Sequence, residues 1–379
     1  MRAFVFTDKA LAKHAGQFVW LSIDTEKAQN AAFSRRYPIR AWPSLYVIDP
    51  AKEKIALRWV GGATVAEIET ILRDGARAAG DQASTSPALA RAEALYSEGK
   101  YAEAAPAYRE ALRSMPKDAP EYPRALESLL FSLASTDQNS ECASVAREEL
   151  ATVRHTAAAV VVAGGGLDCA LKLPADAPSR TEILSAFETE ARSILSDGKL
   201  KLLADDRSAL YGSLVDARED AKDAEGAARL AGEWVANLDG EASRAKTPEQ
   251  RTALDPNRLS AFQAAGALEK AIPMLDQSEK DFPADYNPPA RLAYVYLHLK
   301  RYAEARPAAD RALARVYGPR RIRVLLTLAD IQKGQGDAAA ARQTLEDALA
   351  FAQELPEGQR SEEQIASLKK KLEPAAAPP

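Results

Sequence analysis

The chain is poor in residues that build metal and redox centres: 379 residues include two cysteines, Cys142 and Cys169, and three histidines, His14, His155 and His298. Two thiols cannot form a zinc cluster, and the histidines are too scattered to complete a ligand set. No uninterrupted run of about eighteen apolar residues occurs, which excludes a membrane-spanning helix of ordinary length. The longest candidate, residues 157–163, ends in Gly164-Gly165-Gly166. A dominant charge sign is also lacking: 50 basic and 54 acidic side chains are interspersed, for a formal net charge of -4. That balance gives no electrostatic basis for binding nucleic acid or an acidic membrane surface. Met1-Arg2 is followed by a mixed segment rather than a long apolar core, so this stretch supplies no export signal and a cytoplasmic location is expected on that ground alone. No Ser/His/Asp set, HExxH or paired-carboxylate motif is present, and no cofactor is implied. The triple glycine lacks the Lys-Ser/Thr of a phosphate loop, and it is read as a close helix crossing or a helix break.

What is present is a repeat. Residues 252–285, 286–321 and 322–355 align so that Leu259, Ala293 and Ala329 share one offset and Ala271, Ala305 and Ala341 another. Leu275, Ala309 and Leu345 fall at a third offset, and Ser278, Ala312 and Ala348 at a fourth. Small side chains thus recur where two antiparallel helices must approach closely, with a period of about 34 residues. The clearest single copy is 85–118, with Ala92, Gly99, Tyr101, Ala104, Tyr108, Ala111 and Pro116 in place; weaker copies span 124–157 and 208–241. This pattern resembles the tetratricopeptide repeat (TPR) family, which implies a solenoid of helix hairpins; a generic alanine-rich bundle is the alternative. Pro106 and Pro307 share an offset expected to fall in the first turn of each second helix. In TPR proteins the groove is lined mainly by the first helix of each hairpin and holds a peptide or partner protein. The resemblance therefore points to Arg291, Tyr294, His298, Arg323 and Thr327 as partner-facing residues. This basic and aromatic set suits an acidic or carboxylate-bearing peptide, although each side chain could equally cap or solvate its helix.

At the N-terminus, residues 17–24 are apolar and β-branched enough for a buried strand, and 25–37 follow at helical spacing. Residues 44–49 and 55–60 read as a hairpin, Gly61-Gly62 as a break, and about 65–77 as a helix with the stripe Ile68, Ile71 and Leu72. This order, entered through the run 37–44, is similar to the second half of the thioredoxin family. The resemblance would give Pro43 the role of that family's cis-proline; an ordinary trans turn proline is the alternative. No cysteine precedes Cys142, so the family's Cys-x-x-Cys is missing. Residues 1–15 resemble the helix that follows that motif, with a turn at Phe6-Thr7-Asp8-Lys9 and a short helix over 10–15. The expectation is a chain that starts inside a longer gene product, or a degenerate remnant used for packing.

Cys142 and Cys169 each lie about thirteen residues from 154–156, read as the turn of an antiparallel helix pair, so the thiols fall at similar height along facing helices. A disulfide fits that spacing, and so do two separate buried thiols. The expected class is α+β overall but mainly α: a truncated thioredoxin-like α/β piece over 1–80, a linker over 81–87, degenerate repeats over 88–240, C-terminal TPR-like repeats over 241–355, and a helical or disordered tail over 356–379. The expected function is a protein-interaction scaffold. The alternative is a thioredoxin-family thiol-disulfide oxidoreductase, or a redox-linked holdase, whose active-site cysteines lie upstream. In that case a periplasmic or exported location would follow if Cys142 and Cys169 are bonded.

Overall fold

A computed structural model describes residues 1, 3–39, 41–80 and 86–373. The linker expected over 81–87 and the tail beyond 373 fall mostly outside those residues. The fold is mainly α with one two-stranded sheet among the described residues, α+β overall, and the helices pair into TPR-like hairpins. It divides into two compact units, residues 1–17 with 40–245 and residues 18–39 with 246–379.

In the first unit, strands Ser44–Asp49 and Lys54–Val60 pair antiparallel from Ser44↔Val60 to Asp49↔Lys54, with a bulge between Val47 and Ile48. The helix Val65–Ala79 starts where expected because Thr64 and Glu67 form a reciprocal capping box: Thr64 Oγ1 accepts from Glu67 N, and Glu67 Oε2 accepts from Thr64 N at 2.7 Å. Its stripe Ile68, Ile71 and Leu72 is buried. Gly75 lets the hairpin come close, since a Cβ there would lie 2.5 Å from Val47 Cγ2. The Trp42–Pro43 peptide is cis. Residues 3–15 form turns and the 3-10 helix Lys9–His14, which lies within one residue of the short helix expected over 10–15.

Helix hairpins follow: Pro87–Ser97 with Tyr101–Ser114, Tyr122–Ala134 with Asn139–Val153, Ala158–Leu171 with Arg180–Ser196, and Ala204–Asp220 with Ala224–Arg244. The triple glycine lies within the continuous helix Ala158–Leu171, so it is a close crossing and not a break. A Cβ on Gly166 would sit 2.4 Å from Phe187 Cζ and 2.7 Å from Ala146 Cβ. Beside that crossing the structure joins Cys142 and Cys169 in a disulfide with Cα atoms 6.0 Å apart, both side chains buried. Arg124 is buried here too, paired with Glu93 at 2.5 Å and Asp74 at 3.5 Å.

The second unit repeats the hairpin: Asp255–Ala264 with Ala271–Asp281, Asn287–His298 with Tyr302–Leu313, and Arg320–Gly334 with Ala338–Glu354, closed by Glu362–Leu372. The aligned alanines explain why these helices approach: Ala293, Ala305, Ala309, Ala312 and Ala348 have no exposed surface. Pro307 and Pro106 lie at the sixth helical position, beyond the first turn, so each costs its helix one interior hydrogen bond.

Residues 17–24 do not form the expected strand, and 25–37 give only a 3-10 turn and the short helix Ala31–Arg36. A strand needs a neighbouring strand to satisfy its backbone, and the one sheet among the described residues consists of Ser44–Asp49 and Lys54–Val60. Val19 and Leu21 are 87% and 72% exposed. The segment instead belongs to the second unit.

Candidate functional site

The first helices of the three C-terminal hairpins present one face to a common groove of about 700 Å³. Spacings of three and four residues put Arg291 with Tyr294, and Arg323 with Thr327, on the same side of their helices. All four of these expected residues line the groove, whereas the fifth, His298, is not part of its lining. Its ring stacks on Tyr294 with centroids 4.0 Å apart, and its Nδ1 lies 2.9 Å from the Tyr294 carbonyl oxygen. His298 therefore holds the last turn of its own helix and orients Tyr294, whose hydroxyl donates to Gln263 Oε1 at 2.8 Å.

Charges of both signs line the groove: Arg291, Arg320 and Arg323 with Asp24, Glu26 and Asp285. Arg291 is half-buried, and desolvation lowers its pKa while Asp255, Asp285 and Tyr286 oppose that shift. Arg323 is exposed, makes no ion pair among the described residues, and repels Arg291. Asp255 is fully buried and accepts from Ser278 Oγ at 2.6 Å; burial raises its pKa to about 6.

Sequence reasoning missed five residues at this site. Tyr286, Tyr317 and Arg320 stand at the entries of helices Asn287–His298 and Arg320–Gly334. A signal existed, because Tyr286-Asn287-Pro288 and Tyr317-Gly318-Pro319 repeat a Tyr-x-Pro pattern. The other two, Asp24 and Glu26, come from the N-terminal segment that the sequence suggests is a strand and its following helix. Tyr317 Oη donates to Asp24 Oδ2 at 2.6 Å, Tyr286 Oη to Glu26 Oε2 at 3.0 Å, and Arg320 Nε to Glu26 Oε1 at 2.7 Å. The hydrogen bond to Asp24 pushes the Tyr317 pKa up to about 12, and burial together with Glu26 raises that of Tyr286. No group of three or more His, Cys, Asp or Glu among the described residues could hold a metal ion. Among those same residues, no helix is long and apolar enough to cross a membrane.

No curated protein matches the chain by sequence. Among solved structures it is similar to a tetratricopeptide repeat protein from Parabacteroides merdae, at 12% identity and a TM-score of 0.46, over 75% of this chain and 96% of that one. It is also similar to BtubC from P. vanneervenii, at 15% identity and a TM-score of 0.38, over 67% and 96% of the two chains. A third likeness is to the TPR2AB domain of yeast Sti1 in complex with pHSP90, at 15% identity and a TM-score of 0.26, over 75% and 96%. Residues 286–354, which carry the helices bearing Arg291, Tyr294, Arg323 and Thr327, match the tetratricopeptide repeat family model, and that match identifies their two hairpins as tetratricopeptide repeats.

Proposed function

We propose that the chain is a protein-interaction scaffold whose C-terminal groove receives an acidic or carboxylate-bearing peptide of a partner protein. The observation that carries this reading is the convergence of Arg291, Tyr294, Arg323 and Thr327 on one groove, with Arg323 exposed there. A half-buried guanidinium beside an exposed one gains most from charge-assisted hydrogen bonds to a carboxylate, and Tyr294 adds an aromatic face for the adjoining side chain. The test is the double substitution Arg291→Ala with Arg323→Ala, assayed against a copurifying partner with helicity checked by circular dichroism. Loss of affinity with helicity intact is expected; unchanged affinity would show that the binding surface lies elsewhere.

The finer resemblance of residues 1–80 to the second half of the thioredoxin family is part of the same proposal, as a docking or capping module. Its support is the order of the hairpin Ser44–Asp49 and Lys54–Val60, the Gly61-Gly62 break and the capped helix Val65–Ala79. The missing strand over 17–24 weighs against a complete domain of that kind in this chain. The oxidoreductase alternative draws no support from Cys142 and Cys169, whose side chains are buried and bonded to one another.

A further inference from the structure

Residues 18–39 do more than fill space in the second unit, because two of their carboxylates enter the groove. Asp24 opens a tight turn: its Oδ1 accepts from Glu26 N at 3.0 Å, and its carbonyl oxygen accepts from Asn30 Nδ2 at 2.8 Å. That turn points the Asp24 and Glu26 carboxylates the same way, onto Tyr317, Tyr286 and Arg320. The backbone is held as closely as the side chains. A Cβ on Gly318 would stand 2.0 Å from the Glu26 carbonyl oxygen, so only glycine fits against the strap. Further along, Gln359 Nε2 donates to the carbonyls of Thr25 at 2.8 Å and Lys27 at 3.0 Å. Gly358 packs on the helix Ala31–Arg36, where a Cβ would lie 2.6 Å from the Ala31 carbonyl oxygen.

These contacts amount to a short turn of the chain bound in a repeat groove through paired carboxylates. With the strap in place, Arg291, Arg320 and Arg323 are balanced by Asp24, Glu26 and Asp285; with its two carboxylates removed, three arginines face one acidic group among the lining residues. The vacated groove would be strongly cationic and would present two tyrosine hydroxyls already placed for carboxylate oxygens.

We propose that Asp24-Thr25-Glu26 is a built-in occupant of this groove, and that the partner is an acidic segment carrying two carboxylates at the same i, i+2 spacing which must displace it. This rests on the groove being the binding surface, as proposed above, and adds both the spacing of the ligand and the self-competition that sets its apparent affinity.

The experiment uses the full chain and a fluorescein-labelled synthetic peptide of residues 20–29, followed by fluorescence anisotropy. The double substitution Asp24→Asn with Glu26→Gln removes the strap's charges while leaving Tyr286, Arg291, Tyr317, Arg320 and Arg323 in place, and should bind the peptide at least about tenfold more tightly than the parent. Adding Arg320→Ala to it should abolish that gain. A second route, Gly358→Ala, loosens the strap at a point the peptide does not reach and should also tighten binding. Equal affinities in parent, strap variant and Gly358→Ala would overturn the self-competition and leave the groove reading intact. No binding to the strap variant, with helicity unchanged, would overturn the ligand spacing, while the Arg291→Ala, Arg323→Ala assay with the copurifying partner still judges the groove separately.

Discussion

Replacing Gly166 and Gly165 by alanine, one at a time, should move stability in opposite directions although the two residues are adjacent in one helix. Glycine inside a helix costs roughly 1 kcal/mol relative to alanine, so each substitution gains about that much from the backbone. At Gly165 nothing lies within 4 Å of the added Cβ, and the gain of about 0.5–1 kcal/mol should appear in full. At Gly166 the new methyl would meet the Phe187 ring at 2.4 Å and Ala146 Cβ at 2.7 Å, and both neighbours are buried. Neither can swing away as a flexible chain end would, and overpacking of this kind costs about 1–3 kcal/mol. The net expectation for Gly166→Ala is a loss of about 1–2 kcal/mol. Urea unfolding followed by far-ultraviolet circular dichroism reads both, with an unchanged slope confirming that the same surface is exposed. Combining Gly166→Ala with Phe187→Leu should recover part of the loss, since the smaller neighbour relieves the contact. If both single variants shift stability the same way, the close crossing at Gly166 is wrong.

Breaking the Cys142–Cys169 link by substituting both with alanine should destabilise the first unit by about 3.5 kcal/mol, from a sequence separation of 27. A change below about 1 kcal/mol, or quantitative labelling of both thiols in unreduced protein, would contradict it. Asp255→Asn should stabilise the second unit in a pH-dependent way. Burial raises the Asp255 pKa to about 6, so its protonated form favours the fold and that contribution is lost as pH rises from about 4 through 6. The advantage of a neutral amide at that site should therefore be small below about pH 4 and approach roughly 3 kcal/mol at about pH 7; an advantage independent of pH would refute the assignment. Insulin reduction with dithiothreitol as electron source should not exceed the blank, because both cysteines are buried in a disulfide, and turnover well above it would count against a noncatalytic scaffold.

The repeats were legible because close helix contacts demand small residues, and Ala271, Ala305 and Ala341 record that demand directly. The hairpin turns were less so. At six of them a left-handed residue precedes the second helix: Gly99, Asp137, Lys222, Gly266, Lys300 and Gly336. In each, the next amide donates to the carbonyl five residues back, as Lys100 N does to Leu95 O at 2.9 Å and Arg301 N to Tyr296 O at 2.8 Å. Three of the six lack glycine, and two of these, Asp137 and Lys222, fall in the weaker copies at 124–157 and 208–241, where they hid the regularity. Residues 17–24 depart from expectation for a different reason. Their composition suits a strand, but strand formation depends on a neighbour that local pattern cannot supply. The groove's arginines could be placed from the repeat register, whereas Asp24 and Glu26 reach it through contacts nearly 300 residues apart in sequence, such as Asp24 with Tyr317. No periodicity encodes such contacts.

Hydrogen exchange on the chain with and without its copurified partner tests the central claim most directly. Binding in the groove should slow exchange along Asp255–Ala264, Asn287–His298 and Arg320–Gly334 and change it over residues 18–39, leaving Tyr101–Ser114 and Asn139–Val153 as they were. Protection confined to the helices of residues 87–244, with the C-terminal first helices unchanged, would contradict it.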